Sequence, residues 1–351
     1  MAFRNQLMPN PITRAIIDST VDRSLREIDE DPKRSIRKLT DLGRLFNKGR
    51  FTDEVYALVQ DLLHNDDSPY YTAIERILRH TEKRSLKTFG INLGYNGLNI
   101  GGKIDRSTAE VRPYRTPWLI SIRINPSIPN SMSVSEVENI ITQAKPLGIY
   151  CFSIRLEGSL LSLNSLLDIV NHNTDCAFFF MLPDQKLTPL HLENMQHCSS
   201  AFFLLHTDSP FTAPNTESLR KRKIFFGGYG FYDDHSAASW AEDKRIKEFL
   251  SYEFPIAVLV ADDTCSPKNM TRVAKYCRTS RMHPQHPLLL FDQVGDIAAI
   301  DRMRSEKESG CYFEILESGD LRTSREIITD FRHTVSLEQL LSIALPAEKN
   351  L

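Results

Sequence analysis

The sequence of 351 residues contains no Cys-x-x-Cys pair, although it has six cysteines. They are scattered singly along the chain, as Cys151, Cys176, Cys198, Cys265, Cys277 and Cys311. Such spacing argues against a disulfide framework and against a zinc knuckle of paired thiolates. We therefore predict that most of these cysteines are small buried side chains rather than ligands or bridges.

Long apolar runs and an excess of one charge are absent as well. No apolar stretch approaches the ~18 residues that a membrane-spanning helix needs, and the formal net charge is only -2. A balanced charge gives no electrostatic reason to expect nucleic acid or an anionic membrane as a partner. The first residues, Met1 to Gln6, lack the apolar core of a secretory signal, so we expect a cytoplasmic protein. The hydrophobic fraction of 41% suffices for a sizeable core.

The first 105 residues have the apolar periodicity of helices. Apolar side chains recur at helical spacing in two segments, at Ile16, Val21, Leu25 and Ile28, and then at Ile36, Leu39, Leu42 and Leu45. We predict an N-terminal helical region over residues 1–105. Within it, residues 90–102 contain several glycines with no strand before them. This pattern predicts a linker or capping loop rather than a phosphate-binding loop.

From residue 117 onward, short apolar runs alternate with helical segments. The runs cover residues 118–124, 150–156, 177–182, 201–205, 224–231, 256–260 and 288–291. Strands that are apolar on both faces and separated by helices are typical of a parallel sheet covered by helices. Ser133 and Glu136 have the spacing of a helix capping box. After residue 292 we predict a β-hairpin that begins near Cys311 and a last helix from Ser336.

Several short segments within this pattern resemble motifs of one group of the radical S-adenosylmethionine (SAM) superfamily. They are Thr116-Pro117-Trp118, Ser135-Glu136-Val137-Glu138, Leu147-Gly148-Ile149-Tyr150, Leu166-Leu167-Asp168-Ile169, Asp175-Cys176-Ala177-Phe178, Phe226-Gly227-Gly228 and Glu317-Ser318-Gly319-Asp320. Their order and spacing match the group over nearly the whole chain. The resemblance implies an α/β protein with a partial (β/α)6-type TIM barrel over residues 116–292. The helical region 1–105 precedes the barrel, and a short C-terminal β-hairpin extension, residues 293–351, follows it.

The resemblance also implies a [4Fe–4S] cluster and SAM at the carboxyl ends of the strands, but the residues that would hold them are missing. In the family, three cysteine thiolates from a loop after the first strand hold the cluster. No cysteine lies between Trp118 and Ser135 here. The family's Gly-Gly-Glu-Pro segment, whose backbone meets the amino group of SAM, is replaced by Leu156-Glu157-Gly158-Ser159. Cysteines are also absent from residues 320–324, near the C-terminal hairpin. We therefore predict no cluster and no SAM as resident cofactors.

A different metal site was weighed at Cys277, His283 and His286, because thiolate and imidazole ligands suit zinc. These three residues lack a fourth ligand at characteristic spacing, so we predict no metal site.

Polar residues follow several predicted strands, at the edge where open α/β sheets and barrels bind their ligands. The candidates for a ligand cleft are Asn125, Arg155, Glu157, His206, Asp208, Tyr229, Asp262 and Asp292. Arg155 with Glu157, and His206 with Asp208, suit binding of a polar ligand or general acid–base chemistry. The alternative is that these residues only satisfy loops and helix N-termini at the rim. We assign no catalytic residue.

Two functional hypotheses follow. The first is a catalytically inactive radical-SAM-like protein that serves as a binding or partner module, beside an active relative that modifies a peptide or metabolite. Its partner would be a protein or a small polar ligand. The second is an enzyme without radical chemistry that uses the remaining cleft for a small polar ligand or SAM. Neither hypothesis involves nucleic acid or a membrane.

Overall fold

The N-terminal region is helical in the computed structural model, which describes residues 11–28, 30–46, 57, 59–329 and 335–347. Its helices are α1 (Pro11–Glu27), α2 (Pro32–Phe46), α3 (Pro69–His80), α4 (Lys83–Ile91), a π-helix (Asn92–Ile100) and α5 (Gly101–Thr108). Residues 1–10 and 47–56 of the predicted helical region lie outside the described residues. Among the described residues, no helix has the length and apolar character needed to cross a membrane.

Residues 90–102 form helix, so the prediction of a linker or capping loop was wrong. Three of their glycines, Gly97, Gly101 and Gly102, serve close packing instead of turns. A Cβ atom on Gly97 would lie 2.5 Å from Cys151 Sγ, and one on Gly101 would lie 2.2 Å from the carbonyl oxygen of Gly148. The conformational cost of glycine inside a helix is therefore offset by direct contact between this helix and the barrel.

Two asparagines of the π-helix bind the backbone that leads into the third strand. Asn92 donates to the carbonyl oxygens of Thr174 and Cys176, each at 2.8 Å, and Asn96 donates to the carbonyl oxygen of Asp175 at 2.7 Å. Buried amides need such partners, because an unpaired polar group away from water is costly. The π-helix is thereby fixed to the amino end of the barrel.

The central part of the chain is a parallel sheet covered by helices. Its strands are β1 (Leu119–Ile124), β2 (Cys151–Leu156), β3 (Ala177–Leu182), β4 (Ala201–His206), β5 (Phe226–Tyr232), β6 (Ile256–Ala261) and β7 (Leu289–Asp292). They pair in chain order, every pair parallel. The helices that follow successive strands are α6 (Val134–Ala144), α7 (Leu163–His172), α8 (Pro189–His197), α9 (Thr212–Lys221), α10 (Ala237–Ala241) with α11 (Ile246–Ser251), α12 (Pro267–Met282) and α13 (Gln293–Ser305). The predicted α/β partial barrel is confirmed.

The predicted capping box at the start of α6 is also confirmed. Ser133 Oγ accepts from the backbone N–H of Glu136, and the Glu136 carboxylate accepts from the backbone N–H of Ser133 at 2.7 Å. Ser336 and Gln339 form the same arrangement at the start of α14 (Leu337–Ala344). Both helices begin where their sequence signals predict.

The C-terminal extension adds β8 (Phe313–Ile315), β9 (Leu321–Thr323) and β10 (Ile327–Ile328) to the same sheet. β8 and β9 form the predicted antiparallel hairpin. β8 also pairs in parallel with β1, and Ser121 stands opposite Glu314. The carboxylate of Asp301 on α13 fixes the segments that lead into β1 and β8. It accepts from the backbone N–H of Trp118 at 3.1 Å and from that of Cys311 at 2.9 Å. The hairpin is thus continuous with the barrel wall.

The two faces of the curled sheet bury different residues. Outward-facing side chains such as Ile122, Ile154 and Phe180 pack under the helices in one large apolar core. Inward-facing side chains at the amino ends of the strands form a second apolar cluster, which we call the floor: Leu119, Cys151, Ala177, Phe202 and Phe225, with Phe89 of α4. The first core joins residues from the helical region, the barrel and the extension. The division into three regions stays a prediction.

Candidate functional site

The loop after β1, where the family resemblance would place the cluster ligands, is closed by its own hydrogen bonds. The backbone N–H of Asn125 donates to Ser131 Oγ, and the Asn125 side-chain oxygen accepts from the backbone N–H of Ser127, both at 3.1 Å. The side chain of Met132 is buried, and its backbone N–H donates to the carbonyl oxygen of Glu317. The loop is a compact turn that presents amide and hydroxyl groups but no thiolate.

The cysteines do not supply a replacement ligand set. All six are free and buried. Burial raises the pKa of Cys151 to about 12 and that of Cys265, which follows β6, to about 11. Such thiols stay protonated, whereas a cluster needs thiolates. Within the described residues, no three His, Cys, Asp or Glu side chains converge as a metal site. The donor groups of this chain therefore do not fit a [4Fe–4S] cluster.

The carboxyl end of the barrel interior is instead filled with charged side chains. We call this region the mouth; it consists of Arg123, Arg155, Glu157, His206, Phe231, Asp263, Glu314 and Arg322. Each projects inward from the end of a strand or from the loop after it, because inward-facing side chains alternate with outward-facing ones along a strand. The mouth is the candidate functional site.

A network of ion pairs crosses the mouth from β1 to the loop after β6. Arg123 donates to Glu314 at 2.8 Å and to both carboxylate oxygens of Asp263 at 2.5 and 2.6 Å. Arg322 on β9 donates to the same Asp263 carboxylate at 2.6 Å. Forked guanidinium–carboxylate contacts of this kind fix geometry as well as charge. The network therefore connects the two sides of the open barrel.

The mouth contains three arginines and three carboxylates, but they are buried to different depths. Burial opposes ionisation of Glu314, but the guanidiniums of Arg123, Arg155 and Arg322 outweigh it and hold the pKa of Glu314 below its ordinary value. The side chains of the three arginines and Glu314 are all less than 10% exposed, whereas those of Asp263 and Glu157 are 41% and 29% exposed. Among the deeply buried groups, three cations thus face one anion.

Arg155 and Glu157, two of the predicted candidates, lie together in the mouth. Arg155 Nη2 is 2.8 Å from Glu157 Oε1, and its guanidinium lies over the Phe231 ring, 5.6 Å from the centroid. The residue after Glu157 is Gly158, with a left-handed φ of 67°. A Cβ there would lie 3.0 Å from the Asn125 side-chain oxygen, so the loops after β1 and β2 contact each other closely.

His206 and Tyr229 form an aromatic stack beside Phe231. The His206 and Tyr229 ring centroids are 5.2 Å apart, and the His206 and Phe231 centroids are 5.3 Å apart. Burial lowers the pKa of His206, so its imidazole is neutral near pH 7. Its buried Nε2 has no hydrogen-bond partner in the described part of the chain. Tyr229 is satisfied, since its hydroxyl donates to the carbonyl oxygen of Leu182 at 2.8 Å.

The other predicted candidates lie apart from this group. Asp208 forms an ion pair with Arg245 at 3.2 Å on the rim. Asp262 is exposed, and its carboxylate accepts from the backbone and hydroxyl of Thr264 within the loop. Asp292 faces the helices, where it accepts from the hydroxyl of Tyr232 at 2.7 Å and caps the start of α13. The structure thus brings Arg155, Glu157 and His206 into the mouth and leaves these three aspartates outside it.

Sequence reasoning missed Arg123, Glu314 and Arg322. A signal for Arg123 was present, because a charged residue at an inward-facing position of the otherwise apolar strand 119–124 needs a partner. Its partners could not be identified in the same way, since Glu314 is 191 residues away along the chain.

Comparisons with known proteins found matches among solved structures only. No family model matches the sequence, and no curated protein matches it. Among solved structures, Streptococcus suis SuiB bound to S-adenosylmethionine is similar at 12% identity and a TM-score of 0.47, over 64% of this chain and 63% of that chain. SuiB bound to precursor peptide SuiA is similar at 12% identity and a TM-score of 0.48, over 67% of each chain. Native anSMEcpe with bound AdoMet and Cp18Cys peptide is similar at 12% identity and a TM-score of 0.40, over 66% of this chain and 81% of that chain.

The chain thus spans 63% of the SuiB chain in the first of these matches. TM-scores below 0.5 at such identities carry no argument about activity. The structure is a partial α/β barrel.

Proposed function

We propose that this protein is a catalytically silent radical-SAM-like barrel that serves as a binding module, with the mouth as the site for a small polar ligand. One observation carries the proposal. The loop after β1 has no thiolate, and the ion pairs of Arg123, Asp263, Glu314 and Arg322 cross the mouth. Such a buried network is a fixed structural feature, because removing one partner of an ion pair leaves the other charge buried without compensation.

Anaerobic reconstitution with iron and sulfide tests the silent character of the barrel. After desalting, we expect far less than the roughly four irons per chain of a [4Fe–4S] cluster, and no charge-transfer absorption in the visible spectrum. The variant Cys265→Ser controls for iron held by a thiol near the carboxyl ends of the strands. The proposal would be refuted if the wild-type protein kept stoichiometric iron and the visible charge-transfer band after desalting.

A second function, catalysis without radicals, has one observation in its favour. The neutral His206, with its free buried Nε2, has the protonation state of a general base, and Glu157 lies in the same mouth. Calorimetric titration with SAM tests the SAM form of this alternative. Saturable binding that Glu157→Ala abolishes supports it, and the absence of binding heat rejects it.

A further inference from the structure

An apolar cavity lies inside the barrel, against the floor residues Phe89, Phe202 and Phe225. Its volume is about 240 Å³, and its walls also include Phe179, Met181, Leu204, Val258 and Phe291, with the polar residues Ser153, Asp292, Gln293 and Asp296. Protein interiors are close-packed and rarely hold voids larger than a water molecule. A cavity of about 150 Å³ lined by apolar side chains accepts benzene, so this one would hold a body of roughly ten carbons.

Unpaired donors stand beside this cavity. Ser121 Oγ, Arg155 Nε and the Tyr312 hydroxyl are buried. Ser121 and Tyr312 interact with each other, which leaves one of their two hydroxyl protons without an acceptor, and Arg155 Nε has no hydrogen-bond partner within the described residues. The strand register places them together: Ser121 pairs with Ser153, Arg155 is two residues beyond Ser153 on the same face, and Tyr312 precedes the strand that pairs with β1. Buried donors without acceptors are rare in folded proteins. These three groups therefore point to a missing acceptor.

The charge of Arg155 favours an anion as the acceptor. Burial raises the pKa of Tyr312, so its hydroxyl is a neutral donor. Arg155 is 5% exposed and has only the partly exposed Glu157 as an ion partner. An incoming carboxylate would meet the excess of deeply buried guanidiniums and would receive hydrogen bonds from groups that are otherwise unsatisfied.

We propose that the barrel binds a monocarboxylate with an apolar body of roughly six to ten carbons. Its carboxylate lies among Arg155, Tyr312 and Ser121, and its apolar body occupies the cavity that extends from Ser153 to Phe291. A monoanion matches Arg155, the one arginine of the mouth with a buried nitrogen that has no hydrogen-bond partner within the described residues. The inference rests on the proposed function, because it names the class of ligand that the silent barrel would bind.

Calorimetric titration with acetate, octanoate and octan-1-ol tests the ligand class. We expect octanoate to bind at least about tenfold more tightly than either of the others, because only octanoate has both the charge and the apolar body. Equal affinity for octanoate and octan-1-ol, or no binding of octanoate at millimolar concentration, overturns the proposal. In the latter case the three donors bind water only.

Variants locate the binding site. Arg155→Gln should weaken octanoate binding by about tenfold or more, since a charge-assisted hydrogen bond is lost. Tyr312→Phe keeps the ring and removes one donor, so it should weaken binding several-fold without affecting folding. Val258→Phe fills the cavity and should abolish the preference for octanoate over acetate. Arg245→Gln, on the rim, is the matched arginine control and should change nothing.

The octanoate-binding experiment tests the ligand class, and the iron–sulfur reconstitution tests the proposed function, so the failure of one can be distinguished from the failure of the other. If no cluster forms and octanoate does not bind, only the ligand assignment fails. If a cluster forms, the silent barrel is refuted whatever the binding result. Octanoate binding that is unchanged in Arg155→Gln, Tyr312→Phe and Val258→Phe places the ligand elsewhere and also overturns the inference.

Discussion

The floor and the mouth are built from the same inward-facing positions of the same strands, yet their chemistry is opposite. At the floor, Phe89 contacts Phe179, Phe202 and Phe225, with ring centroids 5.2 to 6.1 Å apart. At the mouth, Arg123 lies on β1 four residues after the floor residue Leu119. It is just as deeply buried as the floor residues but is surrounded by carboxylates. Apolar packing holds one end of the barrel, and ion pairs hold the other.

This difference indicates which end is available for function. The floor is covered by α4 and the π-helix, and its aromatic side chains line the apolar cavity and present no polar group to it. The mouth has unpaired donors and groups whose ionisation depends on one another. Perturbed and unsatisfied groups in a cleft are typical of binding sites, whereas a closed apolar layer is typical of a stability element.

The largest expected effect comes from removing the deepest carboxylate of the mouth. Glu314→Ala should lower the free energy of unfolding by about 3 kcal/mol or more, because Arg123 stays buried without its inner partner. The loss should disappear as the pH falls below the ordinary pKa of glutamate. The pKa of Glu314 is lowered in the folded state, so its stabilising contribution exists above that range and is lost in acid.

Urea denaturation at several pH values measures this effect. Asp208→Asn is the control, because the Asp208 side chain is 49% exposed and pairs with Arg245 on the rim. Its cost should stay below about 1 kcal/mol. Equal costs for the two variants would mean that depth in the mouth has no energetic consequence.

A similar but pH-independent effect is expected at the floor. Phe89→Ala should cost about 3 kcal/mol, because it opens a void among three aromatic rings and detaches α4 from the barrel. Urea denaturation at pH 4 and pH 7 should give the same loss. Leu161→Ala, at a position that is 81% exposed, should change stability little. A loss for Phe89→Ala that follows pH would contradict the distinction between the two ends.

A further pH-dependent effect is expected from a buried carboxylate outside both ends. Burial, with a smaller contribution from the charge of Asp296, raises the pKa of Asp292 to about 7, although the hydrogen bonds from Tyr232 and the Gly295 N–H and the charge of Arg281 oppose the rise. A raised folded-state pKa means that the stabilising contribution is complete below the unfolded pKa and is lost as the pH rises toward 7. The slope contributed by this group is at most about 1.4 kcal/mol per pH unit.

Asp292→Asn should remove this fall in stability between about pH 4 and pH 7, because the amide still accepts from Gly295 and does not ionise. Denaturation midpoints across that range measure the difference from wild type. Asp262→Asn, in an exposed loop, should keep the wild-type slope. Persistence of the fall in Asp292→Asn would assign it to another group.

Much of the barrel could be predicted from the sequence because its signals are local. Apolar runs between helical segments identified β1 to β7, and the Ser133 and Ser336 caps identified two helix starts. The prediction for residues 90–102 was wrong because glycines are compatible with two kinds of structure. Glycine permits turns, but it also permits helices to approach a strand closely, and only the contacts of Gly97 and Gly101 with the barrel distinguish these.

The candidate site was predicted in part for the same reason. Arg155, Glu157 and His206 follow strands and were found from that position. Glu314 and Arg322 were missed because β8 joins the barrel by pairing with β1, far away in the sequence, and β9 joins it by pairing with β8. Asp292 follows a strand too, but its side chain faces the helices, and alternation along β7 settles this only once the register is known.

The sequence by itself determined that an α/β barrel forms and that the loop after β1 has no thiolate, since periodicity and residue identity are properties of neighbouring positions. The tertiary structure alone decided which charges meet. Arg123, Asp263, Glu314 and Arg322 come from β1, the loop after β6, β8 and β9, and only the curling of the sheet brings them within hydrogen-bond distance. Side-chain chemistry is encoded locally, but the depth and partners of a charge depend on the whole fold.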